Sequence, residues 1–169
     1  MDRYVLPIQS TLSCVTEVPL VFSSSRHSRL LQLHAPNGAL LNGTGLKLRF
    51  AQGFSPCRGQ DGTWKVRTEA YIYILTDEQD RPMVEYHWHP QKEYLRKRPH
   101  FHIKHGSTGQ GTSGLRQGLR KAHFPSGRIA IEEIARFLIT EMRVRPRFEE
   151  WDDMLSKNLQ DFESYRSWP

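Results

Sequence analysis

The chain has 169 residues, 37% hydrophobic and 25% charged, with a formal net charge of +6; this balance fits one globular domain over residues 1–169 and excludes a disordered or fibrous chain. No run approaches the roughly 20 apolar residues of a membrane helix, and Met1-Asp2-Arg3-Tyr4 lacks a signal-peptide pattern, so a cytoplasmic protein with no membrane partner is expected. Cys14 and Cys57 stand outside any Cys-x-x-Cys spacing, which argues for free thiols rather than a disulfide framework or a thiolate zinc site.

Residues 1–62 read as short strands and turns, with strands expected at Tyr4–Ile8, Thr16–Phe22, Leu30–His34 and Leu46–Phe50 and turn signals at Asn37-Gly38 and Asn42-Gly43. Residues 63–128 hold a sheet meander and a basic stretch. In the run from Trp64 to Leu75 the even positions, Val66 to Ile74, are small or apolar, while Arg67, Glu69, Tyr71 and Tyr73 fall on the other side. The next run, Met83 to His89, alternates Val84, Tyr86 and Trp88 with Glu85, His87 and His89. A third, Pro99 to His105, alternates Phe101 and Ile103 with His100, His102 and Lys104.

Pairing Ile74 with Val84 aligns the apolar sides of the first two runs, and sets Tyr71 opposite His87 and Glu69 opposite His89. Pairing Trp88 with Phe101 then sets His89 opposite His100 and His87 opposite His102. Directly opposed side chains have Cβ atoms roughly 4.5–5.5 Å apart, so four imidazoles would gather on one face. A one-residue slip would turn every side chain to the other face.

From Gln91 to Arg128 there are nine Lys or Arg against one acid, Glu93. Such a stretch attracts phosphate irrespective of sequence, and Arg96, Lys97, Arg98, His123 and Arg128 are its candidate substrate-binding residues. Gly106 to Gly114 is a Gly/Ser/Thr-rich loop without the Gly-Lys-Ser or Gly-Lys-Thr ending of a phosphate-binding loop. His123-Phe124-Pro125-Ser126-Gly127-Arg128 reads as a short edge strand and a turn.

Residues 129–169 form a helical tail. Ile131, Ile134, Ala135, Phe137, Leu138 and Met142 recur at helical spacing. The segment Arg143 to Arg147, with Pro146, breaks that helix. A second follows, with Trp151, Leu155, Leu159, Phe162 and Tyr165 on one side, and Glu149, Glu150, Asp152 and Asp153 suited to its N-terminal dipole. The expected fold is α+β: an antiparallel meander of about five to seven strands with two C-terminal helices on the face of Val66, Ile72, Ile74, Val84, Tyr86, Trp88, Phe101 and Ile103. The histidine face is expected to be open.

Arg98-Pro99-His100-Phe101-His102, then His123 to Arg128, then the two-helix tail, resemble small bacterial proteins with a Pro-His-x-His strand, some of them toxin–antitoxin-associated. The resemblance covers residues 82–169 and implies a toxin-like role on RNA with a cognate antitoxin as partner.

Three chemistries use these residues. In the first, a metal-independent ribonuclease needing no cofactor, two of His87, His89, His100 and His102 serve as general base and acid. Lys104 and Arg67 stabilise the phosphorane charge, while Glu69 and Tyr71 orient the imidazoles. In the second, the same four histidines bind zinc at roughly 2.0–2.1 Å, with Glu85 or Glu69 completing the shell. In the third, the sheet binds nucleic acid without cutting it or serves as a subunit of a larger complex.

Overall fold

Alternation of buried and exposed side chains organises the central strands, but it changes phase between Thr68 and Ala70, and that change decides which residues form the core. The computed structural model describes residues 2–24, 31–35, 37–90, 98–104 and 122–167. In chain order these contain α1 (Asp2–Ser13), β1 (Val21–Ser24), β2 (Leu31–His34), β3 (Ala39–Leu40), β4 (Lys47–Arg58), β5 (Trp64–Thr76), β6 (Pro82–Trp88), β7 (His100–Ile103), β8 (Phe124–Pro125), α2 (Ile131–Thr140), α3 (Trp151–Tyr165) and β9 (Arg166–Ser167). They build one sheet in the order β1-β2-β4-β5-β6-β7-β8, antiparallel at each step, with β3 paired to β4 and β9 added parallel to β5. This is the expected α+β class, with both C-terminal helices present. No helix among the described residues is long and apolar enough to cross a membrane.

The phase change is a β-bulge. Gly53 pairs with Ala70 and Phe54 with Thr68, so Glu69 is the extra residue on β5. One added residue reverses the faces of everything beyond it. Val66 and Thr68 point to the core before the bulge; after it Tyr71, Tyr73 and Leu75 do. The expected pairing of Ile74 with Val84 is therefore corrected: Leu75 faces Val84, Tyr73 faces Tyr86 and Tyr71 faces Trp88. Ile72 and Ile74 leave the predicted core face, and Ile72 lies opposite His87.

Two tyrosines win these core positions because their rings offer large apolar area and their hydroxyls find partners. Tyr73 stacks on Phe50 at 5.5 Å and on Tyr71 at 4.8 Å between ring centroids. The Tyr73 hydroxyl donates to Gln52 Oε1 at 3.1 Å, and the backbone N–H of Ile129 donates to the Tyr71 hydroxyl at 3.2 Å. Gln52 Nε2 in turn donates to the Tyr4 hydroxyl, which bonds Thr68 Oγ1 at 2.9 Å. Buried polar atoms joined in this way escape the penalty of desolvation without a partner.

The first helix corrects the expected strand at Tyr4–Ile8. Tyr4, Ile8 and Leu12 are spaced by four, so a helix places all three on one buried face. Pro7 lies inside this helix, where it removes one backbone hydrogen bond, and the packing of that face outweighs the loss. The Tyr4 ring is 4.6 Å from Phe54 of β4 and 5.4 Å from Phe162 of α3. α1 also packs against α2 and α3, making a three-helix layer over the tyrosine face. Between these helices Thr11 donates to the buried carboxylate of Glu132 at 3.1 Å and accepts from Asn158 at 3.2 Å.

The turn signals behave as read: Gly38 and Gly43 have φ of +73° and +72°, the left-handed region that glycine enters without a Cβ clash. α2 ends before Arg143, itself at φ 57°, and Val144 returns to the core. Asp152 and Asp153 occupy the first turn of α3, and Arg136 pairs with Asp152. Cys14 and Cys57 are free thiols.

Candidate functional site: a histidine cluster on β6, β7 and the approach to β8

From Val84 to His87 the pairing with β7 runs without a register shift, so the predicted faces hold. Tyr86 pairs with Phe101 and Val84 with Ile103 on one side, while His87 pairs with His100 and Glu85 with His102 on the other. The pairing is displaced two residues along the strands from the expected one, which keeps the faces but makes His87 and His100 the directly opposed pair. β8 continues the ladder: Phe101 pairs with Phe124 and His100 with Pro125. His123, directly before β8, therefore comes alongside His102.

The rings form a connected group. Centroids lie 5.7 Å apart for His87 and His100, 5.3 Å for His87 and His102, and 5.1 Å for His100 and His102. His123 lies 4.4 Å from His102 and 4.9 Å from His100, and His89 lies 5.8 Å from His87. His123, expected on a short edge strand beside the cluster as a substrate-binding residue, lies in contact with the cluster itself.

The expectation of an open face is corrected at its centre. His100 and His102 are 5% and 7% exposed, packed against His87 and His123. His123 is exposed and His89 is half-buried. Nδ1 of His100 lies 2.9 Å from the backbone oxygen of Arg98; a carbonyl only accepts, so Nδ1 carries a proton and Nε2 is the nitrogen turned to other partners. Nε2 of His87 and Nδ1 of His102 are buried and have no hydrogen-bond partner among the described residues. The nearest carboxylate oxygen to His87 Nε2, on Glu85, is 3.7 Å away, too long for a hydrogen bond. The same Glu85 oxygen lies 3.4 Å from Lys104 Nζ.

Burial lowers the His87 pKa to about 4, helped by the neighbouring His102, His100, His89 and Lys104. Burial also lowers that of His102, with Lys104, His123 and His100 adding to the effect and Glu85 opposing it. In metal-free protein His87 binds a proton less readily when folded than when unfolded. Stability from this group is therefore complete above pH 6.5 and is lost as pH falls toward 4. Chelator-treated protein is expected to lose no more than about 3 kcal/mol from this source, read by denaturant unfolding across that range. The loss should shrink in His87→Gln, and an equal slope in the variant would contradict the assignment.

Other expected site residues lie elsewhere. Tyr71 is in the core beneath the opposite face, so it orients no imidazole. Arg67 pairs with Glu69 at 3.0 Å, and Ser55 donates to the same carboxylate; Glu69 is the bulge residue rather than the partner of His89. Arg128 stacks over the Trp88 ring at 4.5 Å, on the core side of β6 and away from the imidazoles. Arg98 contributes its carbonyl, and its side chain is exposed. Arg96, Lys97 and His105 lie outside the described residues. The carbonyl of Arg98 carries no sequence signal, since every residue supplies one. Glu85 was legible as the acid two residues before His87.

The chain matches no protein-family model, no curated protein and no solved structure.

Proposed function

We propose that this protein processes phosphodiester bonds of nucleic acid, RNA foremost, at the histidine cluster. The observation that carries the reading is the contact of the exposed His123 ring with the buried His100 and His102 rings. It gives a bound phosphodiester one imidazole to meet and others fixed behind it. Lys104 on the same side and an excess of 24 basic over 18 acidic residues favour an anionic substrate. RNA as substrate and a cognate antitoxin as partner rest on the resemblance of the Pro-His-x-His strand and helical tail to toxin-like proteins, and a cytoplasmic setting rests on the lack of a signal-peptide pattern and of a membrane-length apolar run.

Purified protein incubated with mixed-sequence single-stranded RNA is expected to cleave it, and the His100→Ala, His102→Ala double variant is expected to lose that activity. RNA bound in a salt-sensitive manner yet left intact would oppose catalysis and favour a binding module.

A further inference from the structure

We infer that His87, His100 and His102 form a binding site for a single divalent transition-metal ion of the zinc class. Each ring offers one nitrogen, and these three nitrogens lie within 4.8 Å of one another. A tetrahedral zinc ion with bonds of roughly 2.0–2.1 Å needs its ligands about 3.3 Å apart, a distance that small side-chain rotations reach. Imidazole nitrogen is a preferred donor for zinc, copper and nickel and a poor one for magnesium or calcium.

Two further observations point to a ligand rather than to packing. A buried polar atom without a partner is costly, and among the described residues His87 Nε2 and His102 Nδ1 are two such atoms, on rings whose centroids lie 5.3 Å apart. A metal ion would satisfy both. His100 is already held as metal-binding histidines are held, its Nδ1–H given to the Arg98 carbonyl so that Nε2 is presented. Each of the three rings therefore offers one nitrogen to a group spanning no more than 4.8 Å.

The fourth position is defined by its neighbours. Glu85 lies 3.7 Å from His87 and 3.4 Å from Lys104, so its carboxylate offsets the lysine charge beside the three imidazoles. On the exposed side stands His123, packed against His102 and His100, where water or a phosphate oxygen would complete the coordination. Three imidazoles with one open position is the pattern of a hydrolytic centre rather than a closed structural one.

Metal binding at this site is tested without the cleavage assay. Chelator-treated protein is titrated with zinc chloride by calorimetry, and with cobalt chloride by visible absorption, which reports tetrahedral nitrogen ligation. One ion per chain is expected. His102→Ala should weaken zinc by more than the roughly 10–100-fold that loss of an outer-shell partner causes, while His34→Ala, outside the cluster, should not. Circular dichroism and the milder His102→Gln separate a lost ligand from a lost fold: a folded variant of either kind that binds zinc normally overturns the site. So does wild-type protein that takes up no ion. Cleavage of RNA without zinc uptake would overturn this site alone, and zinc uptake without cleavage would overturn the phosphodiesterase reading alone.

Discussion

Tyr73→Ala is expected to destabilise the protein by about 3–5 kcal/mol, as truncation of a buried aromatic does, and by clearly more than Ile74→Ala. Tyr73 is 2% exposed and packs between Phe50 and Tyr71, with its hydroxyl on Gln52. Ile74 is half-buried and faces Arg49 on one neighbouring strand and Glu85 on the other. Simple alternation across β5 ranks the two the other way. Urea unfolding of both variants therefore reads the phase of the strand directly, and a larger loss for Ile74→Ala would mean that the bulge at Glu69 is misplaced.

His123→Ala is expected to lower RNA cleavage by about 10²–10⁴-fold, the range of one acid–base group, while lowering zinc affinity far less than His102→Ala does. The imidazole is exposed, packs on His102 and His100, and is not one of the three ligand candidates, so it can touch substrate without holding the ion. Cleavage and zinc titration on the same preparation separate the roles. A loss of zinc as deep as that of His102→Ala would make His123 a fourth ligand and the centre a closed one.

The histidine face was legible in the sequence because β6 and β7 alternate without interruption, with Trp88 between His87 and His89 and Phe101 between His100 and His102. Those apolar residues fix which side the imidazoles take, whatever the pairing along the strands. The two C-terminal helices were legible for a similar reason: the spacing of Ile131, Ile134, Ala135 and Leu138 admits one face only, and all four are buried. β5 was not, because a bulge depends on the partner strand, and nothing local to Glu69 announces the extra residue. Tyr71 and Tyr73 were read as a polar face because of hydroxyls whose partners, the Ile129 N–H and Gln52, lie on distant segments. In α1 the run Val5-Leu6-Pro7-Ile8 mimics a strand, and the proline hides a stripe of Tyr4, Ile8 and Leu12.

The burial of His100 and His102 could not be read from alternation, which assigns a face and not its cover. That burial shifts the chemistry. A general acid and base working without metal need imidazoles that reach substrate and hold protons near neutrality, whereas His87 is pushed to about 4 and two of its neighbours are enclosed. Convergent imidazole nitrogens suit a metal ion better.

RNA cleavage by one preparation, assayed as purified, after removal of metal by chelator and after return of one equivalent of zinc, tests this most directly. Activity lost on chelation and restored by zinc is the predicted result. Cleavage that persists undiminished in the metal-free protein would contradict it and return the chemistry to paired imidazoles alone.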